Sequence, residues 1–350
     1  MFLPTLVHAN VVKHLSVGCK DGVPFIHTGA IVKSGSIPTA IQKHALHPRR
    51  VFFFPRIDNI RQLCYNKEKS PKGTTSMYYR HDLDYTYPDR SDAHMLILKT
   101  KHPITLTPDY PYMPRGPWFR VKRALVAAVL HAVVFPVMHL THGLRIYGKE
   151  NLKKHREALK NGAVTVSNHV FMWDYLAVLK AIRPHISYFP AWKPNLESGF
   201  SPFMRILGGM PIPEGDIRSM MAFRKDLERV LEEGRWLHVF AEGSLWDFYP
   251  DIRPLKPAVF KLAVKYGKPL IPISMSFRPR KGWRRIFGKG PFVDLHIGEP
   301  LFPDPTLPPY KAAEQLRARA YRVMQEMNGI HPGDPTYNED QSIEHYKKTM

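Results

Sequence analysis

From residue 163 onward the chain alternates two textures, and this alternation constrains its fold more than any other feature. Short apolar or β-branched runs read as buried strands: AVTVS from Ala163, SYFPAW from Ser187, WLHVF from Trp236, PLIPISMSF from Pro269 and FVDLHIG from Phe292. Between them, apolar residues recur at helical spacing. Leu176, Leu179 and Ile182 follow Asp174, while Ile217, Met220, Phe223, Leu227, Val230 and Leu231 follow a cap at Asp216 and stop at Gly234. PFMRILGG reads as a short helix, Pro257 opens another that ends on Gly267, and a last one covers 310–327. Strands separated by helices of this length imply an α/β fold, a mainly parallel sheet covered by helices on both faces. In such sheets ligand-binding groups collect at the carboxyl ends of strands. His169 and Glu242 each stand at one.

The first of these strand ends runs SNHVFMWD, with His169 five residues before Asp174. In a straight helix five residues turn a side chain by roughly 500°, so the two could not share a face. A bend between strand and helix brings them together and gives an oriented imidazole, with the acid favoured in the first helical turn. An ordinary loop with a capping acid has the same pattern.

Lys and Arg number 51 against 30 Asp and Glu, a formal charge of +21, which favours an anionic partner: phospholipid, nucleic acid or a phosphorylated substrate. The 2 cysteines, Cys19 and Cys64, exclude a disulfide scaffold and a cysteine-rich zinc site and fit a reducing compartment. Residues 1–76 hold 11 Lys or Arg and 3 Asp or Glu with no sustained period, so they form a poorly patterned arm, and Met77 is a candidate initiator. No cleavable signal peptide is evident. A polar lead covers 77–114, a membrane-anchoring segment 115–142, the α/β body 143–330 and a loose polar tail 331–350.

The anchor rests on 124–140, which is apolar apart from His131 and His139 and interrupted by Pro136. As a helix it would reach about 25 Å, short of a hydrocarbon core of roughly 30 Å. Arg115, Arg120, Lys122 and Arg123 gather before it with Trp118 and Phe119, the pattern of an anionic headgroup contact. The expectation is an apolar membrane-associated helix, monotopic or single-span; a buried core helix is the competing reading.

NHVFMWD and, about 70 residues on, FAEGSLWDFYPDIRPLKPAVFKLAVKYGKPLIPI resemble conserved blocks of the glycerolipid acyltransferases of the 1-acylglycerol-3-phosphate acyltransferase type. The similarity covers roughly Gly143 to Pro300 and makes the 143–330 body the acyltransferase domain. It implies transfer of a fatty acyl group from acyl-CoA or acyl carrier protein to the free hydroxyl of a lysophospholipid at the cytoplasmic face of a membrane. His169 would be the general base and Asp174 the group that orients it. Residue chemistry fits, since a neutral imidazole near pH 7 is a suitable base for a hydroxyl and a thioester needs no enzyme nucleophile. No Gly-x-Ser-x-Gly elbow is present, and Ser167 and Ser244 sit in other contexts. The resemblance also implies that Glu242, Gly243 and Ser244 hold the phosphorylated acceptor, with Lys193, Arg253 and Lys256 as cations of a phosphate clamp. No bound cofactor and no metal site are expected.

Two departures touch that clamp. Glu214 stands where many family members have an arginine, with Arg218 four residues on, and Leu245 follows Ser244 where a basic residue is usual. Both remove positive charge, so they bear on acceptor identity. Acylation of glycerol 3-phosphate or another lysolipid, and non-catalytic binding of anionic lipid, are the competing functions. Nucleic-acid binding is disfavoured by the lack of a basic stripe with interleaved aromatics or of zinc-finger spacing.

Overall fold

The computed structural model describes residues 15–20, 23–28, 87–88, 93–95, 100–288 and 290–341. The chain divides into two units, 1–74 and 75–350. In the first, β1 (Leu15–Lys20) and β2 (Val23–Thr28) pair antiparallel. The sequence reading assigned no element there. The Asp21-Gly22 pair between the strands is a two-residue hairpin signature that it passed over. The Met77 expectation, and the rest of the arm, lie outside the described residues.

The second unit opens on α1 (Pro117–His142) and continues with β3 (Arg145–Tyr147), α2 (Lys149–Lys154), α3 (Arg156–Leu159) and β4 (Val164–Ser167). Then come α4 (Asp174–Ala181), β5 (Ser187–Ala191), α5 (Lys193–Glu197), α6 (Ser201–Ile206), β6 (Gly209–Pro211) and α7 (Ile217–Glu232). β7 (Trp236–Phe240), α8 (Ala258–Lys265), β8 (Leu270–Arg278), β9 (Phe292–Ile297) and α9 (Pro309–Met327) complete it. The sheet order is β3-β9-β8-β4-β7-β5-β6. β8, β4, β7, β5 and β6 run parallel, while β9 turns back antiparallel to β8 and carries β3 with it.

Burial on both faces explains the continuous apolar runs. On one face α4 and part of α1 pack Tyr175, Val178, Leu179, Leu130, Phe135 and Met138 against Ile273, Met275 and Leu295. On the other, α7, α8 and α9 pack Phe223, Leu227, Phe260, Leu316 and Tyr321 against Val164, Val166 and Leu237. Asp216 caps α7 as expected, accepting from the backbone N–H of Arg218 and Ser219 at 3.1 Å each. The tail differs from its loose reading as far as residue 341. Asn338 is buried and its N–H donates to Gln325 Oε1 at 2.9 Å, while Gln341 Oε1 accepts from Leu255 N–H at 3.1 Å. The polar lead is also docked: Met113 N–H donates to Asp226 Oδ2 at 3.0 Å, and Tyr112 and Met113 are buried.

α1 corrects two sequence expectations. Pro136 does not interrupt it. The helix widens to a π turn at Leu130–Val134, in which Phe135 N–H donates to Leu130 O five residues back, relieving the clash and missing donor that proline brings to an α-helix. Arg123, read as a headgroup cation, turns inward. Its Nη2 donates to Ser187 O at 2.6 Å and Leu207 O at 2.9 Å, and the guanidinium lies 4.7 Å from the Tyr188 ring. Those carbonyls, one at the start of β5 and one just before β6, leave a buried polar slot that a guanidinium fills. Arg115, Arg120 and Lys122 stay exposed beside exposed Trp118. Among the described residues, Pro117–His142 is long and apolar enough to cross a membrane by length and composition.

Candidate active site

β4 ends at the centre of the sheet, and its last residues set the site. Where the β4 backbone turns away, Asn168 continues the ladder with its side chain: Nδ2 donates to Met275 O and Oδ1 accepts from Met275 N–H, each at 2.8 Å. The fully buried Asn168 therefore fixes where the next residue leaves the sheet. His169 follows. Its N–H donates to Glu242 Oε2 at 3.0 Å, its carbonyl accepts from Trp246 N–H at 2.9 Å, and its ring stacks on Phe240 with centroids 3.9 Å apart.

The bend over 170–173 closes when Asp174 N–H donates to Phe171 O at 3.0 Å, starting α4. This puts Asp174 Oδ2 2.6 Å from His169 Nδ1, in the arrangement expected of the pair. The carboxylate is buried at the helix N-terminus, where the helix dipole favours negative charge. An ionised Asp174 can only accept, so it holds the proton on Nδ1 and leaves the free lone pair on Nε2. The His169 side chain remains 20% exposed, so the ring is not sealed from solvent.

β7 ends beside β4, and the turn after it forms the back wall. Glu242 is fully buried and accepts four hydrogen bonds: Oε1 from Arg253 N–H at 2.8 Å, and Oε2 from His169 N–H, Arg253 Nε at 3.1 Å and Arg253 Nη2 at 2.7 Å. Arg253 is also fully buried. Its Nη1 donates to Ser244 Oγ at 2.9 Å, its Nη2 to Ser244 O, and its guanidinium lies 4.3 Å from the Trp246 ring.

This geometry redistributes the residues that the sequence grouped as one anion-binding set. Arg253, Glu242 and Ser244 face inward as a paired buried cluster, because a charge out of water must find its counter-charge. They brace the His169 backbone rather than presenting a clamp. Gly243 N–H is taken by Phe240 O at 3.0 Å, so this amide does not face an anion. Glycine is required there for another reason. Its φ is +90°, a conformation in which an L side chain is strained, whereas the end of exposed Lys256, 2.7 Å from a Cβ there, could move aside. Lys256 is exposed, and its side chain lies across Gly243. Lys193 is partly exposed at the start of α5 and pairs with Glu197 at 3.5 Å; Glu197 in turn accepts from Ile104 N–H at 3.1 Å.

Sequence reading assigned no role to Asn168, Phe240 or His238. The polar residue directly before His169 was a visible signal for Asn168; nothing local marked the other two. His238 sits on β7 opposite Thr165, with Nδ1 2.9 Å from Thr165 Oγ1 and Nε2 3.4 Å from Ser167 Oγ. Full burial, with the charge of His169 adding, pushes its pKa down to about 3. The fold thus holds it neutral, whereas the unfolded chain protonates it below roughly pH 6.5. Stability is therefore lost as pH falls from 6.5 towards 3, by about 1.4 kcal/mol per pH unit from this residue. Between pH 7 and 5 the wild type should lose about 2 kcal/mol more than His238→Gln in urea unfolding. Parallel losses would remove His238 as the cause.

Comparison with known proteins adds an independent observation. Residues 143–276 match the family model described as Acyltransferase. An uncharacterised acyltransferase of Schizosaccharomyces pombe is 30% identical over 154 residues, covering 42% of this chain and 52% of that protein. The chain thus spans about half the length of that curated relative. A crystal structure of the 1-acyl-sn-glycerophosphate (LPA) acyltransferase PlsC from Thermotoga maritima aligns over 60% of this chain and 95% of that one, with 19% identity and a TM-score of 0.39.

Proposed function

We propose that this chain, which carries an acyltransferase-family domain at residues 143–276, transfers a fatty acyl group from an acyl thioester to the hydroxyl of a lysophospholipid, 1-acylglycerol 3-phosphate first among them. The observation that carries the reading is the 2.6 Å contact between His169 Nδ1 and buried Asp174, which frees Nε2 to take a proton. The acceptor hydroxyl hydrogen-bonds to Nε2 and attacks the thioester carbonyl carbon while its proton passes to the imidazole. Asp174 stabilises the imidazolium. As the C–O bond forms and the C–S bond breaks, the departing thiolate recovers the proton from Nε2. Acyl-CoA or acyl carrier protein supplies the thioester, and no bound cofactor enters the step.

Lys256 and Lys193 are the cations proposed to meet an acceptor phosphate, Lys as a point charge. Glu242, Ser244 and Arg253 act as positioning residues that fix the backbone of His169. With Arg253 turned inward and Glu214 and Leu245 in place of basic residues, a less strongly charged lysolipid is the second reading. Attachment to a membrane through α1, at its cytoplasmic face in this reading, draws support for the attachment alone from the outward apolar face, Leu125, Val129, Val133 and Val137, and from exposed Arg115, Trp118, Arg120 and Lys122.

The test is a donor and acceptor panel. Acyl-CoA and acyl carrier protein thioesters are offered with lysophosphatidate, glycerol 3-phosphate and neutral or zwitterionic lysolipids, and products are read by mass. Acylated lysophosphatidate as the main product supports the first reading, and acylation of another lysolipid the second. Lipid binding with no product from any pair would overturn both.

A further inference from the structure

The segment between β8 and β9 lies at the carboxyl-end edge of the sheet, the edge that also carries His169. Its central turn, Gly282–Phe287, leaves Trp283 66%, Ile286 78% and Phe287 38% exposed. Three large apolar side chains in six residues form a patch of the kind that marks an interaction site. Lys281 and Arg285 are exposed within the same stretch.

The base of this turn is built. Arg280 Nε donates to Gly290 O at 2.7 Å and its Nη1 to Arg284 O at 3.0 Å. Arg278, Arg280 and Arg284 hold their guanidinium groups 4.7, 4.7 and 5.0 Å from the Phe292 ring. Arg284 also donates to Leu140 O at 3.2 Å and to His139 O, carbonyls in the last turn of α1 that lack helical partners. The exposed apolar tip is therefore fastened to the end of the apolar helix. On the bend between His169 and Asp174, Met172 and Trp173 are exposed too.

We propose that the 281–287 turn is a second membrane-docking element, seating on an anionic phospholipid bilayer beside α1. Charge complementarity selects this occupant. Lys281 and Arg285 flank an aromatic and aliphatic tip, and cations beside interfacial Trp match negatively charged headgroups above an apolar boundary. Seated so, the sheet edge bearing His169 faces the lipid, and an acceptor reaches Nε2 without leaving the interface. The docking stands on surface chemistry and does not depend on the acyl-transfer reading.

The full chain carrying Cys19→Ser, Cys64→Ser and Ile286→Cys, labelled with an environment-sensitive fluorophore, is mixed with phosphatidylcholine vesicles with and without phosphatidylserine. Emission should shift to the blue with the anionic vesicles and be quenched by lipids carrying nitroxide on the acyl chain. The same label at Glu314→Cys, exposed on α9, should not respond. Adding Lys281→Gln and Arg285→Gln should weaken the partition about tenfold or more. Unchanged emission from position 286 on protein that sediments with vesicles would overturn the proposal. So would a blue shift driven by protein concentration alone, which would make the turn a contact between copies of this chain, or an equal response to neutral vesicles. Acyl transfer is not read in these measurements, so a failed docking result leaves the catalytic reading separately testable.

Discussion

His169→Ala is expected to lower the rate of acyl transfer by about two to four powers of ten, with a stability loss of about 1–3 kcal/mol because buried Asp174 loses its 2.6 Å partner. The rate loss follows from removing a positioned general base. Truncation at Cβ leaves the backbone contacts to Glu242 and Trp246, and the fold around Asn168 rests on main-chain and Asn168 bonds. The side chain is partly exposed and stacks on one face against Phe240, so the packing loss is modest. Steady-state thiol release at saturating acceptor checks the rate, and chemical denaturation checks the fold. A rate within a few-fold of wild type would move the base elsewhere. Removing Asp174 acts on the same atom indirectly: with no acceptor at Nδ1, the imidazole loses its tautomer and the stabilisation of its charged form.

Glu242→Ala is expected to destabilise the domain by about 3–5 kcal/mol. The carboxylate accepts from three Arg253 donors and from the His169 N–H, and both charged partners are fully buried. Deleting it strips the buried guanidinium of the carboxylate it pairs with at 2.7 Å, which costs more than the lost bonds themselves. The double variant Glu242→Ala with Arg253→Met should recover part of the loss, because the buried guanidinium is then gone as well. Urea midpoints of the two variants and the wild type make the comparison. A single variant as stable as wild type would mean that Arg253 finds another partner or reaches solvent, and the bracing account would fail.

The strand and helix alternation was legible because each buried run is bounded by a signal with a local cause, as Gly162, Asp216, Gly234 and Gly267 bound theirs. The pairing of His169 with Asp174 was legible for the same reason, since both lie on one short connection. What lay hidden depended on direction and on distant partners. β6 has 3 residues, too few for a period, and the reversal of β9 against β8 is a property of the connection. Arg123 and Arg253 read as surface cations because a sequence records charge and not facing. Their buried partners, the carbonyls of Ser187 and Leu207 and the carboxylate of Glu242, lie 64, 84 and 11 residues away. Pro136 read as a break because the widened turn that accommodates it leaves no compositional trace.

The central claim is that a single imidazole held by one carboxylate deprotonates the acceptor directly, with no acyl group parked on the protein. Rapid mixing of acyl thioester with a stoichiometric amount of protein, without acceptor, measures this most directly. The account predicts no burst of thiol in that mixture and turnover that begins when lysolipid is added and is lost in His169→Ala. One equivalent of thiol released before any acceptor is present, with the acyl chain recovered on the protein by mass, would contradict it.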